Sequence, residues 1–307
     1  MHAVPERRKV CPVEYANSPT LQYRPSQPVY QHSHLPDFGS AMYKLLSSGN
    51  MSTKDHLINC KAITSEIVSL ISLQYANILV NSHPQVAQGV QSHSYFRTDP
   101  MSRVYYSFLY IHGVFGTPEE RDYVTRMVNK AHRGVRGRNY NAMDPKQQLW
   151  VASCFFVATL TVQETFFGLL DEQSTEALYK DAFRFGTSLQ VPPDMWPESI
   201  HKFWEYWNHE IHHFEATPAV LSVIDDILYP HNLPLWVLVF SPILRIFTIH
   251  WLSETYRARY GLRTTWLTSL VFCTSVFIIQ WVYPLLPELV RHCHVYYLKR
   301  ELRKYVK

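Results

Sequence analysis

The strongest constraint on the fold is a helix-start signal that recurs along the chain. It consists of a Thr or Asp, whose side chain can cap the first turn, followed directly by a proline, which fits the first helical position. The signal occurs at Asp99-Pro100, Thr117-Pro118, Asp144-Pro145 and Thr217-Pro218. No segment shows the sustained two-residue alternation of a half-buried strand. The sequence therefore predicts an all-α fold with a single helical domain.

Composition and charge exclude several classes of protein. The net charge of +4 is small and scattered, and no nucleic-acid motif is present, so we expect no nucleic-acid partner. Five cysteines, an odd number without a CxxC pair, indicate neither a disulfide framework nor a zinc knuckle. Nothing in the sequence implies a protein partner. The first 30 residues lack the apolar core of a secretory signal, and we expect residues 1–39 to be poorly ordered.

The C-terminal part contains one long apolar run. From Thr264 to Pro287, 24 residues carry no charge, and a membrane span needs about 20. Trp266 near one end and Trp281 near the other are typical of residues at a membrane interface. A buried core helix is the alternative. Because basic residues flank the run on both sides, the positive-inside rule does not orient it. We therefore predict a catalytic domain over residues 40–260 and an apolar membrane-associated helix with a basic tail over residues 261–307. This helix is either a transmembrane helix or one embedded in the membrane surface.

A possible cofactor site follows from the spacing of three polar residues. Arg103 and Ser107 lie at i and i+4 and therefore share one face of the helix that starts at Pro100. The turn at residues 113–118 brings His132, on the next helix, antiparallel to that face. A cation, a hydroxyl and an imidazole can converge between two helices, which is where helical bundles build cofactor sites. The alternative is a histidine that is only structural.

Longer stretches of sequence carry a resemblance to a known family. They read GVQSHSYFRTDPMSRVYYS, MVNKAHRGVRG, YNAMDPKQQLWV, ARYGL and YPLLPELVR. These contain three ordered motifs, HS-x4-DPxxR-x3-[T/S], HxxVxG and YxAxDPxxxxWV. Over roughly residues 69–297, the chain resembles the latex-clearing rubber oxygenases and the ER-bound oxygenases of mycophenolic acid biosynthesis. The resemblance implies an all-α protein that binds haem b and uses dioxygen.

The resemblance also implies roles for single residues. His132 matches the family's axial ligand to the haem iron. Arg103 and Ser107 match an arginine and a threonine beside the haem, so these two are both cofactor-binding and catalytic candidates. Tyr106 stands where the rubber-cleaving members have a lysine, which argues against rubber as the substrate. A further set, Tyr140, Asp144 and Trp150, matches a motif that we interpret as structural: a turn, a helix cap and a core aromatic.

The functional prediction combines these observations. We expect a haem-dependent oxygenase that oxidises, or cleaves at a C=C bond, an apolar polyketide or terpenoid substrate of fungal secondary metabolism. It would be located at the endoplasmic reticulum membrane with its catalytic domain in the cytosol. One alternative is a haem-binding membrane protein without enzymatic activity. Another is a zinc metallopeptidase, because His209, Glu210 and His213 fit the helical HExxH motif.

Overall fold

The computed structural model describes residues 59–93, 99–231 and 233–306. The chain divides into two compact units, residues 1–31 and 32–307, and every described residue belongs to the second. The described residues form helices and no strand, with one isolated β-bridge between Arg136 and Asn141. The all-α prediction is confirmed. The expectation of a poorly ordered segment over residues 1–39 falls outside the described residues.

Fifteen α-helices follow one another in the described part of the chain. The first eight are α1 (Cys60–Ser65), α2 (Leu73–Asn81), α3 (Pro84–His93), α4 (Pro100–Gly113), α5 (Pro118–His132), α6 (Pro145–Val162), α7 (Glu172–Ala182) and α8 (Arg184–Thr187). The others are α9 (Ile200–His213), α10 (Pro218–Leu228), α11 (Leu235–Trp251), α12 (Glu254–Arg259), α13 (Trp266–Val282), α14 (Glu288–Arg291) and α15 (Cys293–Tyr305). Short 3₁₀ turns lie at Ile67–Ser72, Pro193–Met195 and Tyr283–Leu285, and a π-helical turn, Gln163–Phe167, extends α6.

The predicted helix starts form as expected. The Asp99 side chain accepts a hydrogen bond from the Ser102 amide at 3.1 Å and begins α4. At α5, Thr117 and Glu120 form a complete capping box, in which each side chain accepts from the other's amide. The side chains of Asp144 and Thr217 each accept one backbone amide hydrogen bond in the first turn and so cap α6 and α10. These caps fix where α4, α5 and α6 begin, and α4 and α5 carry the predicted site residues.

Helix α6 forms the core of the domain. Together with its π-helical extension it is long and apolar enough to cross a membrane, but 78% of that apolar stretch is buried inside the protein. Trp150 is fully buried, donates its indole N–H to the Leu79 carbonyl at 3.2 Å and stacks on Trp207. Phe156 packs edge-on against Phe203. Burial on this scale identifies α6 as a core helix.

Helix α13 is the second helix that is long and apolar enough to cross a membrane. It corresponds to the apolar run predicted from sequence, and 22% of its apolar stretch, Trp266–Leu285, is buried. The alternative of a fully buried core helix therefore does not describe it. Length and composition alone are weak evidence for a membrane helix, since α6 passes the same test.

Helices α4 and α5 approach closely at a glycine. A Cβ added to Gly113, the last residue of α4, would lie 2.5 Å from Cγ1 of Val124 on α5. Val124 is fully buried, and its β-branched side chain has little freedom to move away. The glycine therefore sets the distance between the two helices that carry Arg103 and His132.

We predict that Gly113→Ala destabilises the protein by about 1–3 kcal/mol, because overpacking at Val124 outweighs the gain in helix propensity. Urea unfolding of purified protein measures the change. Gly134→Ala is the matched control, since an added Cβ there meets no atom within 4 Å. Equal unfolding midpoints for the two variants would contradict a close contact at Gly113.

Candidate active site

A large cavity lies between α3, α4, α5 and α6. Its volume is 1310 Å³, above the roughly 300–1,000 Å³ of most small-molecule sites. Apolar side chains from all four helices, including Val90, Met127, Val128 and Phe155, form much of its wall. Arg103, Tyr106, Ser107 and His132 all line it. The structure thus brings the four predicted site residues to one cavity.

Helix α4 supplies the cation and the hydroxyl. Arg103 and Ser107 lie one turn apart, and the Ser107 hydroxyl donates to the Arg103 carbonyl at 2.9 Å. This bond fixes the hydroxyl on the helix and leaves its oxygen lone pairs available as acceptors. Burial lowers the pKa of Arg103 to about 10, which still leaves its guanidinium positive at neutral pH.

Helix α5 supplies the imidazole at its C-terminal end. His132 is half-buried, and burial, followed by the positive charge of Arg103, lowers its pKa below the ordinary value of 6.5. The ring is therefore neutral at neutral pH. Its Nδ1 atom is buried and has no hydrogen-bond partner among the described residues. A neutral imidazole can bind a metal ion through a ring nitrogen. The guanidinium of Arg103 beside it can bind an anionic group.

Tyrosines gather around Tyr106 at one part of the cavity. Tyr106 is 51% exposed, and its ring lies 5.3 Å from that of Tyr105, centroid to centroid. Tyr123 on α5 stacks on Tyr305 of α15 at 5.0 Å, and both rings line the cavity. Tyr106 is therefore open to solvent and at the same time part of the cavity wall.

Sequence reasoning missed one hydrogen-bonded pair in the cavity wall. The Tyr140 hydroxyl lies 2.6 Å from Nε2 of His93, and both residues line the cavity. The sequence motif predicts Tyr140 at a turn and predicts no site role for His93. Both belong to the quoted motifs HS-x4-DPxxR and YxAxDPxxxxWV, so their shared place in those motifs is the signal that could have paired them.

A buried amide network ties the wall of the cavity together. Gln148 on α6 donates to Oε1 of Gln190 at 2.6 Å, and Gln190 donates to Oδ1 of Asn129 on α5 at 2.9 Å. Gln148 is buried, and Gln190 and Asn129 are half-buried, so both bonds are partly shielded from bulk water. The network holds the His132 end of α5 against α6.

The HExxH residues lie apart from this cavity, at the end of α9. His209 and His213 are exposed and stack at 4.1 Å, and Nδ1 of His213 bonds to the His209 carbonyl. In the described part of the chain, no group of three or more His, Cys, Asp or Glu residues is placed to hold a metal ion. The structure therefore gives the pair no third ligand of the kind a catalytic zinc requires.

Comparisons with known proteins agree with the motifs. The uncharacterized proteins Mb2261 of Mycobacterium bovis and Rv2237 of Mycobacterium tuberculosis are each 34% identical to this chain over 171 residues. The alignment covers 51% of this chain and 67% of each relative. No solved structure matches the chain.

The family assignment rests on a longer match. Residues 61–281 match the family described as "ER-bound oxygenase mpaB/B'/Rubber oxygenase, catalytic domain". The matched range includes the walls of the cavity from α2 to α6 and most of α13. The chain therefore belongs to the family of ER-bound and rubber oxygenase catalytic domains, as its motifs predicted.

Proposed function

We propose that this protein is a haem b-dependent oxygenase that uses dioxygen on an apolar substrate. The observation that carries the proposal is a neutral imidazole, His132, beside the guanidinium of Arg103 on the wall of a 1310 Å³ cavity. Family membership supports oxygenase chemistry and a small-molecule substrate. The choice of haem b as cofactor rests on the side chains of His132 and Arg103.

His132 fits the role of an axial iron ligand. Haem iron is commonly held by one neutral imidazole, and burial together with Arg103 keeps this ring neutral. The buried, unsatisfied Nδ1 is costly in a protein that binds nothing there. Coordination through one ring nitrogen, with the other bonded to a ligand or an ordered water, would remove that cost.

Arg103 fits the role of a partner for the haem carboxylates. Haem b carries two propionates, and a partly buried guanidinium forms strong charge-assisted hydrogen bonds with such groups. Arg103 also disfavours protonation of His132, so one side chain serves both the cofactor's acid groups and the state of its ligand. Ser107, one turn away, offers hydroxyl lone pairs on the same helix face.

Haem, when bound, supplies the iron chemistry that activates dioxygen. The protein's own part is to bind, orient and exclude water. Val90, Met127 and Phe155 give the cavity apolar walls, which favour an apolar substrate and keep water from the reacting atoms. Tyr106 stands at the exposed part of the wall and contacts a substrate there. We place Arg103, Tyr106 and Ser107 in these binding and orienting roles.

The substrate class and cellular setting follow from the same features. A cavity of this volume accommodates a large cofactor together with a molecule of polyketide or terpenoid size, which is then oxidised or cleaved at a C=C bond. The family description, ER-bound, and the exposed apolar helix α13 support a place at the endoplasmic reticulum membrane. A catalytic domain on the cytosolic side is a further part of the proposal. A role in fungal secondary metabolism is part of the proposal, and the two relatives reported above are mycobacterial proteins.

The role of His132 can be tested by haem binding. Wild-type protein should show a Soret band after haem loading, and His132→Ala should lose stoichiometric haem, because no other imidazole lies on that helix face. Absorption spectra at equal protein concentration measure this, with circular dichroism to confirm the fold. His93→Ala is the control, since His93 lines the same cavity. The assignment is wrong if His93→Ala loses the haem and His132→Ala keeps it.

A substitution at Glu210 separates the oxygenase from a zinc peptidase. Glu210→Gln should leave activity within about tenfold of wild type, whereas loss of a true general base costs at least about 10²-fold. Oxygen consumption with an apolar substrate measures the first activity, and metal analysis of the purified protein reports zinc. A well-folded variant that loses activity by two orders of magnitude would revive the metallopeptidase alternative.

A further inference from the structure

We propose that α13 lies in the plane of the membrane, docked on the domain along one face and inserted into lipid along the other. This arrangement rests on the membrane association proposed above. It adds which surface of the protein contacts lipid and how α13 is oriented in the membrane. Of the two arrangements that the sequence leaves open, this is the embedded helix and not the transmembrane one, because a helix held against the domain along its length cannot also be surrounded by lipid.

The docked face of α13 is a single stripe. Its members follow helical spacing i, i+3, i+4, i+7, i+11 and i+14 and are all buried or half-buried, namely Ser269, Phe272, Cys273, Val276, Gln280 and Tyr283. Phe272 packs against Phe247 and stacks on His250, both on α11. At 1.5 Å per residue, 14 residues make the stripe about 21 Å long. The domain therefore covers one side of nearly the whole helix.

Polar contacts hold this stripe in place at three points. Nε2 of His250 lies 3.2 Å from the Ser269 hydroxyl at one end. Gln280 donates to the Thr165 carbonyl at 2.8 Å, in the π-helical turn after α6. Separate from these, the Tyr283 hydroxyl donates to the buried Glu66 carboxylate at 2.8 Å. Such contacts fix the rotation of α13, so the opposite face is defined as well.

The opposite face is more apolar than the docked one. Trp266 is 77% exposed and Trp281 67%, and the other large members are exposed too, namely Leu267, Leu270, Phe277, Ile278 and Val282. A helix on the surface of a protein in water shows the reverse order, with its apolar side toward the core. The arrangement is therefore inverted, which is expected where the solvent on that side is lipid.

Neighbouring elements extend the exposed apolar surface. Leu285 is 81% exposed, and Leu289 and Val290 of α14 are exposed beside it in sequence. The contacts from Phe247 to Phe272 and from His250 to Ser269 show that α11 and α13 run antiparallel. The start of α11, where Leu235, Val239 and Phe240 are exposed, therefore lies toward the C-terminal end of α13. We call this combined area the lipid face.

Lipid is the occupant that these features fit. No Asp, Glu, Lys or Arg lies between Thr264 and Pro287, and Trp266 and Trp281 stand at the two ends, as interfacial aromatics do. A surface that binds another protein has a polar rim, and residues 264–287 contain no charged side chain that could form such a rim. An in-plane helix buries its apolar face by about 5–10 Å, and here the domain occupies the side that would otherwise face water.

Vesicle flotation tests the surface. Full-length, detergent-free protein is mixed with phosphatidylcholine vesicles, and wild type should float with them. Trp281→Glu should reduce the bound fraction by about fivefold or more, because a charge replaces an aromatic at the interface. Leu169→Glu is the control, since Leu169 is an exposed apolar residue outside the lipid face. Equal binding of the two variants overturns the lipid face, whereas wild type that does not float removes membrane association altogether.

Cysteine labelling tests the mode. Both variants carry Cys11→Ser. In the first, the exposed Cys293 reports the C-terminal side of α13. In the second, Cys293→Ser removes that thiol and Arg263→Cys reports the N-terminal side. Both should react with a membrane-impermeant maleimide on intact vesicles, because an in-plane helix leaves both ends on one side. Protection of one end until detergent is added would show a spanning helix and overturn the in-plane mode, even if flotation succeeds.

Discussion

The structure depends on the burial of α6 on all sides. An apolar helix of this length has to be covered, and α1, α2, α7, α8 and the 3₁₀ turn at Ile67–Ser72 pack around it. Its first turns present Gln147 and Gln148 to the cavity, and the π-helical turn after its last residue presents the Thr165 carbonyl to α13. One buried helix thus connects the site at one end with the apolar surface helix at the other.

Electrostatics at His132 are governed by one neighbour. Asp99, Arg126 and Lys130 also line the cavity, but Arg103 is the charged residue that acts on the His132 ring. In a medium that screens poorly, a neighbouring cation and lost hydration push an imidazole in the same direction, toward its neutral form. Burial and Arg103 therefore suffice to keep the His132 imidazole neutral at neutral pH.

The helix starts and the grouping of the site residues could be predicted from the sequence, because both depend on interactions between residues close together in the chain. Caps such as Asp99 and Thr117 act within one turn, and the spacing of Arg103 and Ser107 fixes their common face. The pairing of His93 with Tyr140 could not be derived by periodicity, since it depends on how a loop folds back over α3. Nor could the two faces of α13, because 24 uncharged residues look alike until Gln280 and its neighbours are seen to dock.

The stacking of Tyr305 on Tyr123 has an evolutionary consequence. Tyr305 belongs to α15, which lies beyond the range 61–281 shared with the family, yet its ring forms part of the cavity wall. A segment outside the matched catalytic domain therefore shapes the cavity. Under the proposed function, exchange of this terminal helix alone would alter substrate selectivity, while the helices that carry Arg103 and His132 stay unchanged.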